Sequence, residues 1–216
     1  MASSKTNSAP ATRGSVIHWA GHYDQVVSLL TLGRRARLRS MTIALACIQP
    51  GDRVLEVGCG TGDVALAACA PAGPHGSVSG IDAGSEMIAV ARAKAARAAV
   101  EIDFRVELIE ALSYPDASFD IVLSSLMMHH LPDGLKRQGL AEIARVLKPG
   151  GRLLIVDVKR PNTRLGRILN RLMLHGRLQT AIQDLPAMLH DAGYIEIEAG
   201  ATEFRTLGFV RGQTCA

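Results

Sequence analysis

The segment Val54–Gly62 constrains the fold of this chain more than any other, because an apolar run leads there directly into three glycines spaced two residues apart. The run Val54–Val57 is typical of a strand that is covered on both faces. Gly58, Gly60 and Gly62 let the following backbone turn tightly and approach a ligand without a Cβ atom in between. A glycine-rich loop that only connects two elements is the alternative interpretation. We predict a buried strand, a ligand-binding turn and then a helix, which together form the unit of an α/β fold.

Three acidic residues around this segment narrow the choice of ligand. Asp82 ends the next apolar run, where a carboxylate at the end of a second parallel strand accepts hydrogen bonds from both hydroxyls of a ribose. Glu56 lies inside the apolar strand, which is costly unless it meets a cation or hydrogen-bond donors. Asp63 stands where a dinucleotide fingerprint has its last glycine, and an anion at a helix start competes with a pyrophosphate for the same amides. The sequence therefore favours a nucleoside without phosphates.

Four ordered blocks resemble a class I S-adenosylmethionine-dependent methyltransferase. They are the glycine turn with Glu56, the acid Asp82, the strand and loop of residues 119–132, and the Lys-Pro-Gly-Gly segment of residues 147–153. The resemblance covers residues 50–160 closely, and it is most similar to the ubiquinone/menaquinone-biosynthesis type (methyltransferase type 11). It implies a Rossmann-like, seven-stranded, mostly parallel sheet with helices on both faces and an antiparallel last strand. Strand five is expected over Leu153–Val158, and strands six and seven as a hairpin at the sheet edge.

The same resemblance implies S-adenosyl-L-methionine as the cofactor and assigns residues to it. Glu56 would bind the methionyl ammonium, directly or through water, and Asp82 the ribose. The backbone of the glycine turn would contact the methionyl and ribose side. The full predicted set of cofactor-binding residues is Glu56, Gly58, Cys59, Gly60, Gly62, Asp82, Ala83, Met87, Leu108, Ile109, Ser124 and Ser125.

One position departs from the family pattern. The family usually has an Asp that accepts from the adenine amino group, and Leu108 stands in that place. Two alternatives are open: Glu107 or Glu110 supplies the acceptor from a shifted register, or packing and the Ile109 amide hold the adenine. The loss of one such hydrogen bond costs on the order of 1 kcal/mol, which weakens binding several-fold without abolishing it.

The candidate catalytic residues are His130 and Tyr23. His129 and His130 follow strand four, at the edge where an open parallel sheet binds ligands. Because neighbouring side chains point in different directions, we expect one of the two to face the pocket, and we favour His130. Anchoring of the loop by the His130 ring is the alternative. Tyr23 precedes the core where the resembling family has a Tyr-Asp pair, with packing against the domain as its alternative role.

Composition and segment character predict three regions. Residues 1–14 are rich in Ser, Thr, Ala and Pro and are expected to be a disordered tail, and residues 15–50 a helical cap. Residues 51–216 would form the methyltransferase domain, with an acceptor pocket or lid at about 159–192. A basic amphipathic segment there, with Arg164, Arg167 and Arg171 on one face, would either cover the core or lie on an anionic membrane.

Charge and cysteine usage bear on partners and compartment. Residues 51–120 carry five basic and eleven acidic side chains, which suits a cationic cofactor, whereas the flanking segments are basic. The arginines are not interleaved with aromatic residues, so no nucleic-acid partner is predicted. The four cysteines include no C-x-x-C pair, so we predict no metal and a cytoplasmic protein, with peripheral contact to an anionic membrane left open. The sequence does not indicate an oligomeric state.

The function predicted on these grounds is transfer of a methyl group from S-adenosylmethionine to a small hydrophobic acceptor by in-line displacement. A quinol, a phenol or a lipid-like molecule would serve as the acceptor. Two alternatives belong to other classes. A non-catalytic S-adenosylmethionine-binding protein would fit the substitution at Leu108, and a nucleotide-dependent oxidoreductase is disfavoured by Asp63 and the glycine spacing.

Overall fold

The computed structural model describes residues 33–160 and 181–216, and its framework is one seven-stranded sheet. The spatial order of the strands is β3-β2-β1-β4-β5-β7-β6. Strands β1 to β5 run parallel to one another, while β7 is antiparallel to both β5 and β6. The strands are β1 Arg53–Val57, β2 Ser77–Asp82, β3 Asp103–Val106, β4 Phe119–Ser125, β5 Leu147–Val158, β6 Ile195–Ala201 and β7 Leu207–Gln213.

Five α-helices are described, and they cover the two faces of the sheet. They are α1 Arg35–Ala46, α2 Asp63–Ala72, α3 Ser85–Ala98, α4 Asp133–Val146 and α5 Leu185–Asp191. Short 3₁₀ turns at Met128–His130 and Ile182–Asp184 precede α4 and α5. No helix within residues 33–160 and 181–216 has the length and apolar character needed to cross a membrane.

Alternation along the central strands produces two hydrophobic cores. In β1, Val54 packs with α1, α2 and α3, while Leu55 and Val57 pack with α4 and α5 on the other face. All three side chains are fully buried. The sequence of a strand covered on both faces is a continuous apolar run, because neither set of alternating side chains meets water. Glu56 is the one acid buried within this run, so hydrogen-bond donors or a cation must compensate the cost of its burial.

The structure confirms the predicted fold and corrects some boundaries. The mostly parallel sheet, the helices on both faces and the antiparallel β7 are all present, and β6 and β7 form the predicted edge hairpin. Strand β5 begins at Leu147 rather than at Leu153, because Leu147 pairs with Phe119 across a register shift in β4. The predicted tail, residues 15–32 of the cap and residues 161–180 of the lid region lie outside the described residues.

Candidate cofactor site

The glycine turn lies at the point where the strand order reverses. From β1 the chain proceeds to β2 and β3 on one side and to β4 and β5 on the other, so a crevice opens at the carboxyl ends of β1 and β4. Gly58, Gly60 and Gly62 have φ values of +69°, +51° and +80°. A Cβ atom on Gly58 would stand 2.2 Å from Met127 Cγ, and one on Gly62 would stand 2.8 Å from Phe104 Cζ. Both glycines are therefore required by conformation and by close packing.

Asp82 organises this turn from the end of β2. The Gly60 amide N–H donates to Asp82 Oδ2 over 2.9 Å, and the Gly84 amide N–H donates to Oδ1 over 2.7 Å. Burial raises the pKa of Asp82, and the two amide hydrogen bonds oppose that rise. Each carboxylate oxygen accepts more than one hydrogen bond, so both retain capacity for a ligand hydroxyl. Asp82 thus holds the turn in place, and its two oxygens keep acceptor capacity for a ligand.

Glu56 is the second acid of the site, and its side chain is buried. The Ala65 amide N–H, in the first turn of α2, donates to Glu56 Oε2 over 2.8 Å. Burial raises the pKa of Glu56 well above its ordinary value, and the nearby charges of Asp63 and Asp82 add to this rise. A cationic group placed against Glu56 would favour its ionised form. The residue is therefore suited to an ammonium ligand, and its predicted role stays a prediction.

A small cavity brings the turn together with α1 and the end of β4. Glu56, Gly58, Cys59 and Ser125 from the predicted set line it. The other lining residues are Arg35, Leu38, Arg39, Thr61, Asp63, Val64 and Leu126. The cavity thus joins the buried Glu56, the part-buried Asp63, glycine backbone and two arginines of α1 at the carboxyl edge of the sheet. This is the setting expected for a small polar ligand with apolar parts.

Asp63 connects three helices at the rim of this cavity. It is the first residue of α2 and pairs with Arg35 of α1 and with Lys94 of α3, the latter over 2.7 Å. Lys94 also donates to Thr61 Oγ1 over 2.8 Å. A negative side chain already occupies this helix N-terminus, which is the place where a dinucleotide would put its pyrophosphate. The geometry agrees with the sequence argument against a dinucleotide.

The predicted adenine contacts lie on the β2–β3 side. Met87 in α3 is buried, and the buried Ile109 side chain packs so tightly on α4 that a Cβ on Gly139 would stand 2.8 Å from its Cδ1 atom. Glu107 accepts hydrogen bonds from both the amide and the hydroxyl of Ser113. The Glu107 carboxylate is thus oriented by Ser113, and its oxygens keep acceptor capacity. Both alternatives stay predictions: an acceptor from Glu107 or Glu110, or packing with the Ile109 amide.

The segment after β4 carries the two histidines. Ser124 is buried on the sheet face opposite to Ser125, and its hydroxyl has no hydrogen-bond partner within the described part of the chain. His129 Nδ1 contacts Asp157 Oδ1 at 2.6 Å, and the His129 amide N–H donates to Asp157 Oδ2 over 3.0 Å. The His130 ring lies 3.9 Å from that of His129, centroid to centroid. The sequence favours His130 as the residue that faces the pocket, and the structure gives His129 an acidic partner in Asp157.

Two charged residues of this region were missed by the sequence analysis. Asp157, at the end of β5, is only 2% exposed, and Lys136 in α4 is equally buried. Asp157 interrupts an apolar strand just as Glu56 does, so the same signal would have identified it. Lys136 has no comparable signal, because a lysine in an amphipathic helix is ordinarily solvated. Tyr23 lies outside the described residues, and the role of His130 stays a prediction.

This arrangement defines a class of protein: a doubly wound α/β domain that binds a small ligand at the switch point of its sheet. Residues 54–151 match the family model described as a methyltransferase domain. These residues therefore belong to the methyltransferase domain family, which confirms the resemblance stated from the sequence. The oxidoreductase alternative gains nothing from this match.

Two curated proteins that resemble this chain are named as methyltransferases. The chain is 37% identical over 144 residues to a demethylmenaquinone methyltransferase of Listeria monocytogenes, which covers 65% of this chain and 59% of that protein. It is 36% identical over 148 residues to the ubiquinone/menaquinone biosynthesis C-methyltransferase UbiE of Geobacter sulfurreducens, covering 68% of this chain and 57% of that protein. The chain thus spans less than two thirds of the length of either relative.

A solved structure shows the same fold. A SAM-dependent methyltransferase from Aquifex aeolicus superimposes with a TM-score of 0.69 at 19% identity, covering 87% of this chain and 97% of that one. At this identity the likeness concerns the fold alone. The superposition covers more of the chain than residues 54–151, so the shared fold is not limited to the segment that matches the family model.

Proposed function

We propose that this protein is an S-adenosylmethionine-dependent methyltransferase that acts on a small hydrophobic acceptor with an aromatic hydroxyl group, such as a quinol or a phenol. The observation that carries the proposal is the placement of Glu56 near the end of β1 and of Asp82 at the end of the adjacent β2, together with the turn of positive-φ glycines that follows β1. The family of residues 54–151 supports the reaction class. The names of the Listeria and Geobacter relatives support a quinone precursor as the acceptor.

The residues present fit the cofactor by charge and by shape. Asp82 offers two part-buried acceptor oxygens that suit the neighbouring hydroxyls of a ribose. Glu56 offers a buried acid for the methionyl ammonium, and the Ala65 amide fixes its orientation. When bound, S-adenosylmethionine supplies an electrophilic methyl group on a positively charged sulfur. The acids of residues 51–120 favour that positive charge.

The contribution of the chain to the reaction is mainly alignment. Reactants held in line in a water-poor crevice gain effective molarities worth about 7–11 kcal/mol of the barrier. Charge is lost in the transition state when an anionic acceptor attacks, so the crevice need not be strongly polar. An acceptor hydroxyl that must first lose its proton requires a base, for which His130 and Tyr23 are the residues predicted from the sequence.

The proposal includes the setting of the enzyme. We propose a cytoplasmic protein whose basic segment around Arg164, Arg167 and Arg171 contacts an anionic membrane that holds the lipid-like acceptor. Co-sedimentation with anionic vesicles, compared with neutral vesicles, tests this part. Binding that is equal for both kinds of vesicle, or absent from both, would contradict it.

A labelled-methyl transfer assay tests the proposed activity. Purified protein and S-adenosylmethionine carrying a labelled methyl group are incubated with hydroquinones, phenols and phospholipid amines. We expect label in an aromatic acceptor, and we expect Asp82→Asn to lose the transfer while Asp191→Asn, an exposed acid far from the turn, retains it. Cofactor binding without transfer to any acceptor would instead favour the non-catalytic binding protein.

A further inference from the structure

The carboxyl ends of β4 and β5 hold a histidine and an acid in direct contact. The two strands are parallel neighbours, with Ser125 paired to Val156, and the Leu126 amide N–H continues this ladder by donating to the Val156 carbonyl. Asp157 is the next residue of β5. Its carboxylate binds His129 through both oxygens, at 2.6 Å to Nδ1 and 3.0 Å to the backbone nitrogen. The Val158 amide donates to Oδ1 over 2.7 Å and fixes the carboxylate further.

This contact determines which histidine nitrogen is available for chemistry. An ionised carboxylate only accepts hydrogen bonds, so His129 Nδ1 must carry a proton in the contact with Asp157. The neutral ring then has its lone pair on Nε2. A histidine that is oriented through Nδ1 by a buried acid is the arrangement in which Nε2 takes up a proton and the acid stabilises the imidazolium that forms.

A buried lysine balances the charge of the acid. Lys136 in α4 is 2% exposed, donates to Asp133 Oδ1 over 3.3 Å, and feels the charges of Asp157 and Asp184. Burial lowers the pKa of Lys136, and these three acids oppose that effect. The ionisable groups near the pair and Lys136 are thus His130, Asp133 and Asp184, and Asp184 in turn pairs with Arg160.

The pair lies beside the candidate cofactor site. Met127, two residues before His129, packs so closely on the glycine turn that a Cβ on Gly58 would overlap it. Ser125 and Leu126, at the start of the same segment, line the cavity with Glu56. The His129 side chain is 18% exposed, so its ring is held by Asp157 and is still partly accessible to solvent. The segment that carries His129 therefore begins at the edge of the cavity.

We propose that His129 is the proton acceptor for the hydroxyl group of the methyl acceptor and that Asp157 is the positioning residue that orients it. This inference rests on the proposed function. The acceptor's O–H proton passes to His129 Nε2, and an electron pair of the resulting anion, on the oxygen or on a ring carbon, forms the new bond to the methyl carbon. The bond between the methyl carbon and sulfur breaks, its electron pair stays on sulfur, and a neutral thioether results. When a ring carbon is methylated, the hydrogen on that carbon then leaves as a proton and the oxygen regains one, which restores the aromatic ring. No oxidant or reductant is needed.

Kinetics provide the first test. His129→Gln should lower kcat by about 10²–10⁴-fold, the usual contribution of a positioned base, and should remove the rise of kcat with pH. Asp157→Asn should lower kcat and shift the rise of kcat to a different pH. The affinity for S-adenosylmethionine, measured by calorimetry, should be unchanged in both variants. His190→Gln, an exposed histidine in α5, is the matched control and should retain the wild-type profile. Wild-type kcat and pH profile in folded His129→Gln would overturn the proposal, as would a loss confined to His130→Gln.

A second readout needs no turnover. In ¹⁵N-histidine NMR spectra of the wild-type protein we expect His129 as the tautomer with its proton on Nδ1, and Asp157→Asn should alter that assignment. Addition of 1,4-dihydroxynaphthalene together with S-adenosylhomocysteine should shift the Nε2 signal of His129. A proton resident on Nε2 in the neutral ring, or a signal that the probe leaves unchanged, would overturn the inference. A wild-type protein that binds neither S-adenosylmethionine nor S-adenosylhomocysteine would instead contradict the proposed function itself.

Discussion

The contact between the glycine turn and Met127 leads to a prediction about stability. Gly58→Ala places a non-glycine residue at φ +69°, which costs about 1–2 kcal/mol in the left-handed region. Its Cβ would also stand 2.2 Å from Met127 Cγ and 2.7 Å from Met127 Cβ. Relief of that overlap requires movement of the segment that carries His129, and overpacking of this kind costs about 1–3 kcal/mol more. We therefore expect a loss of about 2–5 kcal/mol in the free energy of unfolding.

A second glycine separates the two contributions. Gly193 follows α5 with φ +85°, and a Cβ atom there meets nothing within 4 Å. Gly193→Ala should lose only the conformational part, about 1–2 kcal/mol. Urea unfolding of both variants, with equal m-values as a check on two-state behaviour, measures the difference. If Gly58→Ala is no less stable than Gly193→Ala, the segment after β4 does not pack on the turn as described, and the reasoning is wrong.

Two further predictions concern pH and the packing of α4. The pKa of Glu56 is raised in the folded protein, so the folded state binds more protons than the unfolded chain. The stability of the ligand-free protein should therefore fall as pH rises from the pKa of Glu56 in the unfolded chain towards its pKa in the folded protein. Urea unfolding over that range should show a shallower slope in Glu56→Gln than in the wild type, because the raised pKa of Asp82 still contributes in the variant; equal slopes would refute the prediction. Arg145 donates to the carbonyl oxygens of Leu112 and Tyr114 over 2.9 Å, so Arg145→Gln should cost about 1–3 kcal/mol in thermal unfolding, whereas the exposed Arg137→Gln should cost little. A similar loss of stability in Arg145→Gln and Arg137→Gln would show that the hydrogen bonds of Arg145 to the two carbonyl oxygens do not stabilise the fold.

The fold was predictable where local pattern and tertiary burial agree. The run Val54–Val57 forms a buried strand because it is apolar at every position but one, and glycines with positive φ follow it. The start of β5 was missed because Pro149, Gly150 and Gly151 have turn chemistry, while the pairing of Leu147 with Phe119 depends on a distant strand. A register shift of that kind is decided by the packing of whole elements, and no local pattern encodes it.

The site was predictable only in part. Glu56 was predictable because an acid inside an apolar strand is costly without donors, and Asp82 because a carboxylate at the end of a second parallel strand suits a ribose. The structure gives both of them amide donors. The choice between His129 and His130 depends on which ring meets Asp157, which is 28 residues away in the sequence. Adjacent residues in an irregular segment have no periodicity from which a direction follows, so the partner had to come from the three-dimensional structure.

The binding of S-adenosylmethionine to the wild-type protein and to Asp82→Asn, measured by calorimetric titration, tests the central claim most directly. We expect the wild type and the Asp191→Asn control to bind alike. Asp82→Asn should bind roughly 10- to 100-fold more weakly, because hydrogen bonds to a charged acceptor are worth about 1.5–3 kcal/mol. Equal affinity of Asp82→Asn and the wild type would contradict the site. Absence of heat from the wild type with both S-adenosylmethionine and S-adenosylhomocysteine at millimolar concentration would contradict the whole account.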